Sequence, residues 1–103
     1  MKQQFDAEQI SRIIDQALVF QCACPAQLAT TLLELRDLFD YQLKCREGAD
    51  ALGERVHAAI SRAAEEAHER IEQCLGEVLR LEGWDLATLT MPEGLRQKPV
   101  KSF

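Results

Sequence analysis

Residues 50–82 read DALGERVHAAISRAAEEAHERIEQCLGEVLRLE, a long stretch without proline in which apolar residues recur at steps of three and four. Such steps average close to the 3.6-residue repeat of the α-helix, so the pattern predicts one long helix. The apolar stripe of this helix comprises Leu52, Val56, Ala59, Ala63, Ala67, Ile71, Cys74, Val78 and Leu81. At about 1.5 Å per residue, a helix of this length spans roughly 50 Å.

A second line of residues runs beside this stripe and widens the apolar face of the same helix. It comprises His57, Ser61, Ala64, His68, Leu75 and Leu79. A face of this width exceeds what a single partner helix covers. We therefore expect one of two arrangements. Either the C-terminal segment folds back over the face, or two chains pair, since two-fold dimers are the commonest oligomers.

Two shorter helical segments precede the long one, at about residues 6–21 and 25–46. Asp6 suits the N-cap of the first segment, because a short acidic side chain accepts from exposed backbone N–H groups. Cys24 is the expected N-cap of the second segment. The proline at position 25 disfavours helical geometry in the residue before it and fits the start of a helix.

Glycines end the second and third segments, as they commonly do just past a helix. The connection around Gly48 is about three residues long, which predicts that segments two and three pack as antiparallel neighbours. Gly83 follows the long helix. Beyond it we expect a short helix at about 86–91, with Trp84 packed on Leu89 across its start as a hydrophobic staple.

These segments together predict an all-α protein, an antiparallel helical bundle of three main helices plus the short C-terminal one. Dimerisation is one way in which this bundle is completed. Residues 1–93 are expected to form a single domain of ordinary size. Residues 94–103 contain a proline and three cations but no acid, and they are expected to form an extended basic tail.

Composition narrows the classes of partner. The net charge is −5 and the sequence pI is about 5.0, which argues against a broad nucleic-acid surface, since such surfaces use cations to neutralise phosphates. Apolar runs are far shorter than the roughly 18 residues that a membrane span requires. Acidic residues break up the N-terminal segment, so no secretory signal is expected and the predicted location is cytoplasmic.

Three of the four cysteines are candidates for a chemical site. The hairpin register places Cys24 opposite Glu72 and therefore close to Cys74, with Cys22 at the same end. Thiolates bind zinc and other thiophilic metals and carry out redox exchange, so these three cysteines form a candidate metal or redox site. His68 is the candidate fourth ligand. In the alternative interpretation, the first two cysteines are small residues of a turn and Cys74 belongs to the core.

The remaining polar residues do not suggest an enzyme. Glu65, Glu66, Glu69 and Glu72 alternate with arginines, a pattern typical of a solvated helix face. The sequence contains neither a Gly-x-Ser-x-Gly motif nor a glycine-rich phosphate loop. It therefore predicts a small non-enzymatic protein-interaction or assembly module, with a homodimer and a protein partner expected. The alternative is a thiol-based metal-binding or redox protein.

Overall fold

The computed structural model describes residues 1–19 and 23–92, which are mostly helical and contain no β-strand. Three helices follow one another along the chain: α1 (Ala7–Val19), α2 (Ala23–Arg46) and α3 (Ala51–Glu82). The prediction of an all-α fold is confirmed, and the predicted helix bounds lie within two residues of these. The predicted basic tail at 94–103 lies outside the described residues.

Side-chain caps fix where α1 and α3 begin. Asp6 Oδ1 accepts from the backbone N–H of Gln9 at 2.8 Å, and the Gln9 side chain accepts in return from the Asp6 N–H at 2.8 Å. This reciprocal capping box confirms Asp6 as the N-cap of α1. Asp50 caps α3 through the N–H of Gly53 at 2.7 Å. Each cap gives a hydrogen bond to an N–H group that has no partner within the helix.

The start of α2 differs from the prediction. The helix begins at Ala23, so Cys24 lies inside its first turn and does not cap it. Pro25 also lies in this turn and is buried. Backbone N–H groups of the first turn have no acceptor within the helix, so a proline there removes no helical hydrogen bond. Pro25 therefore indicates roughly where α2 begins, but it does not identify the residue that caps the helix.

Helices α2 and α3 form an antiparallel hairpin, as predicted. Gly48 lies in the turn between them with a φ of +75°, a left-handed conformation that glycine adopts without steric penalty. Next to the turn, Arg46 Nη2 is 3.5 Å from Glu54 Oε1. Further along, His57 Nδ1 is 2.7 Å from Gln42 Oε1. These cross-helix contacts fix the register of the hairpin.

The hydrophobic core occupies one end of an elongated molecule that measures 56 × 29 × 19 Å. Helix α1 has 13 residues, or about 20 Å, whereas the 32 residues of α3 span about 48 Å. Because α1 is short, it packs on only part of the hairpin. The buried apolar core comprises Ile10, Ile13, Ala17, Ala26, Ala29, Leu32, Leu75, Leu79, Trp84, Leu89 and Met91.

The face that α3 buries differs from its most apolar stripe. Its buried residues are Ser61, Ala64, His68, Glu72, Leu75, Gly76 and Leu79, which largely follow the second, mixed line. On the stripe, Leu52 is 69% exposed, Val56 is 46% exposed and Leu81 is 79% exposed. Helix α2 therefore packs against the line that carries polar groups, and much of the stripe remains accessible to solvent.

Helix α3 ends in a Schellman motif. Gly83 has a φ of +80°, and its N–H donates to the Arg80 carbonyl at 3.1 Å. The Trp84 N–H donates to the Leu79 carbonyl at 2.9 Å. This pair of hydrogen bonds satisfies two carbonyl groups at the helix end. The motif also turns the buried indole of Trp84 back toward the core.

The predicted short helix at 86–91 is replaced by a compact turn. An isolated bridge joins Asp85 to Thr90, and Leu89 has a φ of +55°, which helical residues do not adopt. The stretch between Gly83 and Pro92 is short, and isolated short helices are marginal because nucleation is unfavourable. Trp84 and Leu89 are both buried, but they join the core from a turn, so the predicted staple across a helix start does not form.

Candidate functional site

An open apolar groove runs between α2 and α3 along the middle of the hairpin. We call it the α2–α3 groove; it is lined by Leu35, Leu38, Ala59, Ile60, Ala63, Ala64 and Ala67. Its volume is about 430 Å³. The small alanine side chains form one wall, which allows the backbone of another helix to approach closely because interaxial distance depends on side-chain size at the contact.

The exposed apolar surface continues beyond the groove toward the hairpin turn. Val56 and Leu52 extend the line of Ala59 at helical spacing, and both are exposed. On the α2 side, Leu38 is 40% exposed. Apolar residues that are scattered singly on a surface need no explanation, whereas a contiguous patch marks an interaction site. Leu52, Val56 and Ala59 share one exposed face of α3, which makes that face a candidate interaction surface.

Both helices that form the groove also expose charged side chains. Between residues 23 and 43, the exposed charged side chains of α2 are all acidic: Glu34, Asp37 and Asp40. Helix α3 exposes both signs of charge: Arg55, Arg62, Arg70 and Arg80, together with Glu54, Glu65, Glu66, Glu69 and Glu77.

Two acids of α3 face the N-terminal segment. Glu65 and Glu69 line a separate cavity of about 350 Å³ together with Lys2 and Gln4 of the N-terminal segment. These two glutamates are therefore directed away from the α2–α3 groove.

A buried polar network lies between α2, α3 and the N-terminal segment. Arg36 Nε donates to Nε2 of the fully buried His68 at 2.9 Å, and Arg36 Nη2 donates to Glu72 Oε2 at 3.3 Å. The imidazole nitrogen that accepts from Arg36 carries no proton, so the proton lies on His68 Nδ1. That atom makes no hydrogen bond, and Glu72 Oε1 is 3.7 Å from it.

The network also fixes the chain that precedes α1. Glu72 Oε2 accepts from the backbone N–H groups of Gln4 at 2.7 Å and Phe5 at 3.0 Å. The Phe5 carbonyl accepts from Arg36 Nη2. The buried Glu72 carboxylate thus neutralises the charge of the Arg36 guanidinium and accepts from two backbone N–H groups. A buried charge is tolerated only when it is paired and hydrogen-bonded in this way. This network attaches residues 4–5 to the hairpin.

His68 is neutral at pH 7. Burial is the largest cause and lowers the pKa of His68 below its ordinary value of 6.5. The Glu72 carboxylate acts in the opposite direction, and the Arg36 guanidinium adds to the lowering. A neutral ring is also what the hydrogen bond from Arg36 requires. His68 therefore serves as an acceptor inside the fold.

One prediction about these residues is wrong, and one residue of the network was not predicted. Glu72 is buried in the network and does not belong to the solvated face that contains Glu65, Glu66 and Glu69. Arg36 was not selected from the sequence at all. Two features of the sequence indicate the network. Arg36 interrupts the apolar face of α2, and Glu72 follows His68 by four residues on the mixed line of α3.

The predicted thiol site is only partly within the described residues. Cys24 is exposed and Cys74 is half-buried, whereas Cys22 lies outside the described ranges. Within residues 1–19 and 23–92, no group of three or more His, Cys, Asp and Glu side chains is arranged to hold a metal ion. His68, the candidate fourth ligand, is enclosed by Arg36 and Glu72. The three-thiol site remains a prediction.

Thiol counting combined with elemental analysis tests this site. In freshly purified protein, we expect a thiol reagent to modify the exposed Cys24 quickly and the half-buried Cys74 more slowly, because reactivity follows access. We also expect less than one zinc per chain. A stoichiometric metal, or protection of Cys24 that a chelator removes, would instead establish the metal site. Cys24→Ser identifies the fast-reacting thiol.

Comparison of this chain with protein-family models, curated proteins and solved structures finds no match. Among the described residues, no helix combines the length and apolar content that a membrane crossing requires.

Proposed function

We propose that this chain is a protein-interaction or assembly module, not an enzyme, and that it binds a helix of another polypeptide in the α2–α3 groove. The observation that carries this proposal is the exposure of the α3 stripe. The fold buries a mixed line of α3 against α2, while Leu52 and Val56 remain exposed beside the groove. A second helix in this groove would remove that apolar surface from water, which is favourable.

The buried network supports the same function in a different way. Arg36, His68 and Glu72 are enclosed and bind one another or the backbone of the N-terminal segment. A catalytic acid or base has to reach the substrate atom with which it exchanges a proton. These residues are better suited to holding the hairpin and the N-terminal segment rigid. A rigid hairpin presents the groove in a fixed shape, which lowers the entropic cost of binding.

Site-specific photocrosslinking in cells that make the protein tests this function. A photoreactive amino acid at Ala63, in the groove, should give adducts with a polypeptide. The same amino acid at Glu69 is the matched control, because this exposed residue of α3 lines the separate cavity. Equal adducts at the two positions, or none at either, would refute the proposed function. The mass of an adduct also reports whether the bound polypeptide is a second copy of this chain.

A further inference from the structure

We propose that the N-terminal segment, residues 1–5, is a pH-sensitive latch that detaches from the α2–α3 hairpin when His68 takes up a proton. Three buried side chains form the part of the latch that lies on the hairpin: Arg36, His68 and Glu72. Arg36 and Glu72 hold the segment by its backbone N–H and carbonyl groups. Protonation of the imidazole changes the hydrogen bonds of the other two side chains, which makes the attachment responsive to pH.

The segment depends on this cluster for its attachment. Residues 2–4 are exposed, and Phe5 is half-buried against the edge of the core. Glu72 Oε2 accepts from the N–H groups of Gln4 and Phe5, and Arg36 Nη2 donates to the Phe5 carbonyl. Because residues 2–4 bury little apolar surface, these three charge-assisted hydrogen bonds supply much of what holds the segment in place.

The cluster has no acceptor for a second proton on His68. Arg36 Nε donates to His68 Nε2 at 2.9 Å, so a proton on that nitrogen would direct one N–H donor at another. The positive ring would also lie beside the positive guanidinium, and like charges repel. Arg36 therefore has to move away from the ring. Because the guanidinium is planar and rigid, Nη2 leaves the Phe5 carbonyl and Glu72 when Nε leaves His68.

The Glu72 carboxylate has a second partner within reach. His68 Nδ1 makes no hydrogen bond, and Glu72 Oε1 is 3.7 Å from it. An imidazolium attracts the carboxylate into a charge-assisted hydrogen bond, which is shorter than this distance. That approach turns Glu72 Oε2 away from the N–H groups of Gln4 and Phe5. The segment then loses the donor to its carbonyl and the acceptor of its two N–H groups in one step.

The charges around His68 set the direction of the pH effect. Burial lowers the pKa of His68, the Glu72 carboxylate of α3 opposes this, and the Arg36 guanidinium of α2 and the Met1 amino group add to the lowering. In the detached state the ring is hydrated, and its pKa returns toward the ordinary value of 6.5. The detached state therefore binds the proton more readily. Attachment is at full strength above pH 6.5 and weakens below it, by up to about tenfold per pH unit.

Amide hydrogen exchange of the full chain, followed by NMR at pH 7 and pH 5, tests the latch. Protection factors of the Gln4 and Phe5 amides, corrected for intrinsic exchange, should fall by about tenfold or more at the lower pH. Amides of the core residues Leu75 and Leu79 should keep their protection. The variant His68→Gln retains an acceptor for Arg36 but does not titrate, so its Gln4 and Phe5 amides should stay protected at pH 5.

His57→Gln is the matched control, because it removes the other histidine of the chain, which contacts Gln42 on the hairpin. It should lose protection at pH 5 as the wild type does. Equal protection of the Gln4 and Phe5 amides at the two pH values in the wild type would overturn the latch. Loss of protection in His68→Gln as large as in the wild type would assign the proton to another group and overturn the role of His68.

Two further observations on the wild type decide the matter even where His68→Gln does not fold. Simultaneous loss of protection at Leu75 and Leu79 would indicate acid unfolding of the whole core, which would overturn a local latch. The NMR titration of the His68 ring should have the same midpoint as the change in the Gln4 and Phe5 amide signals. Different midpoints would overturn the proposal.

Discussion

Replacement of Glu72 by alanine is expected to lower the free energy of unfolding by about 3–5 kcal/mol, the usual effect of removing one partner of a buried ion pair. The substitution leaves the buried Arg36 guanidinium without its carboxylate. It also removes the acceptor for the N–H groups of Gln4 and Phe5. Urea denaturation at pH 7, followed by circular dichroism at one protein concentration, measures this loss.

Glu69→Ala is the matched control for this substitution. Glu69 is on the same helix three residues earlier but is exposed, so we expect a change within about 0.5 kcal/mol. Loss of less than about 1 kcal/mol in Glu72→Ala would contradict the buried network. The double variant Glu72→Ala with Arg36→Ala provides a second check. Because it removes both charges, its destabilisation should be less than the sum of the two single effects.

Helix ends were predictable because their chemistry is local. The exchange of hydrogen bonds between Asp6 and Gln9 involves residues three apart in the sequence. Gly48 and Gly83 both adopt a positive φ just past a helix, which the sequence indicates directly. The turn at 85–90 shows the limit of such local rules. Asp85 Oδ1 accepts from the N–H groups of Ala87 and Thr88 in this turn, and Arg12 of α1 donates to the Thr88 carbonyl. Local and long-range hydrogen bonds therefore hold a turn where the sequence predicts a helix.

Periodicity alone does not predict which of the two residue lines of α3, the apolar stripe or the mixed line, is buried against α2. A helical repeat shows that Leu52 and Val56 share a face, but it does not show which element packs there. The mixed line is buried because Arg36 of α2 meets His68 and Glu72, residues 32 and 36 positions away in the chain. Long-range polar contacts of this kind leave little trace in a single sequence. For the same reason Glu72 resembled a solvated glutamate.

Replacement of Ala63 by glutamate is expected to raise the Kd for self-association by about 100-fold or more. Ala63 is exposed in the described chain and lines the α2–α3 groove, so the fold itself tolerates a longer side chain there. In the homodimer that the wide apolar face of α3 predicts, the substitution would bury two carboxylates without partners, and each carries a substantial desolvation penalty. Sedimentation equilibrium over a range of protein concentrations measures the change, with circular dichroism to check that the helices are retained.

Ser11→Glu is the matched control, since it adds the same charge at an exposed position of α1 outside the groove. The most direct test of whether the α2–α3 groove is an interface is the sedimentation equilibrium of three proteins: wild type, Ala63→Glu and Ser11→Glu. We predict dimers for the wild type and Ser11→Glu, and a monomer for Ala63→Glu at the same concentrations. A wild-type monomer, or an Ala63→Glu variant that dimerises as tightly as the wild type, would contradict self-association through this groove.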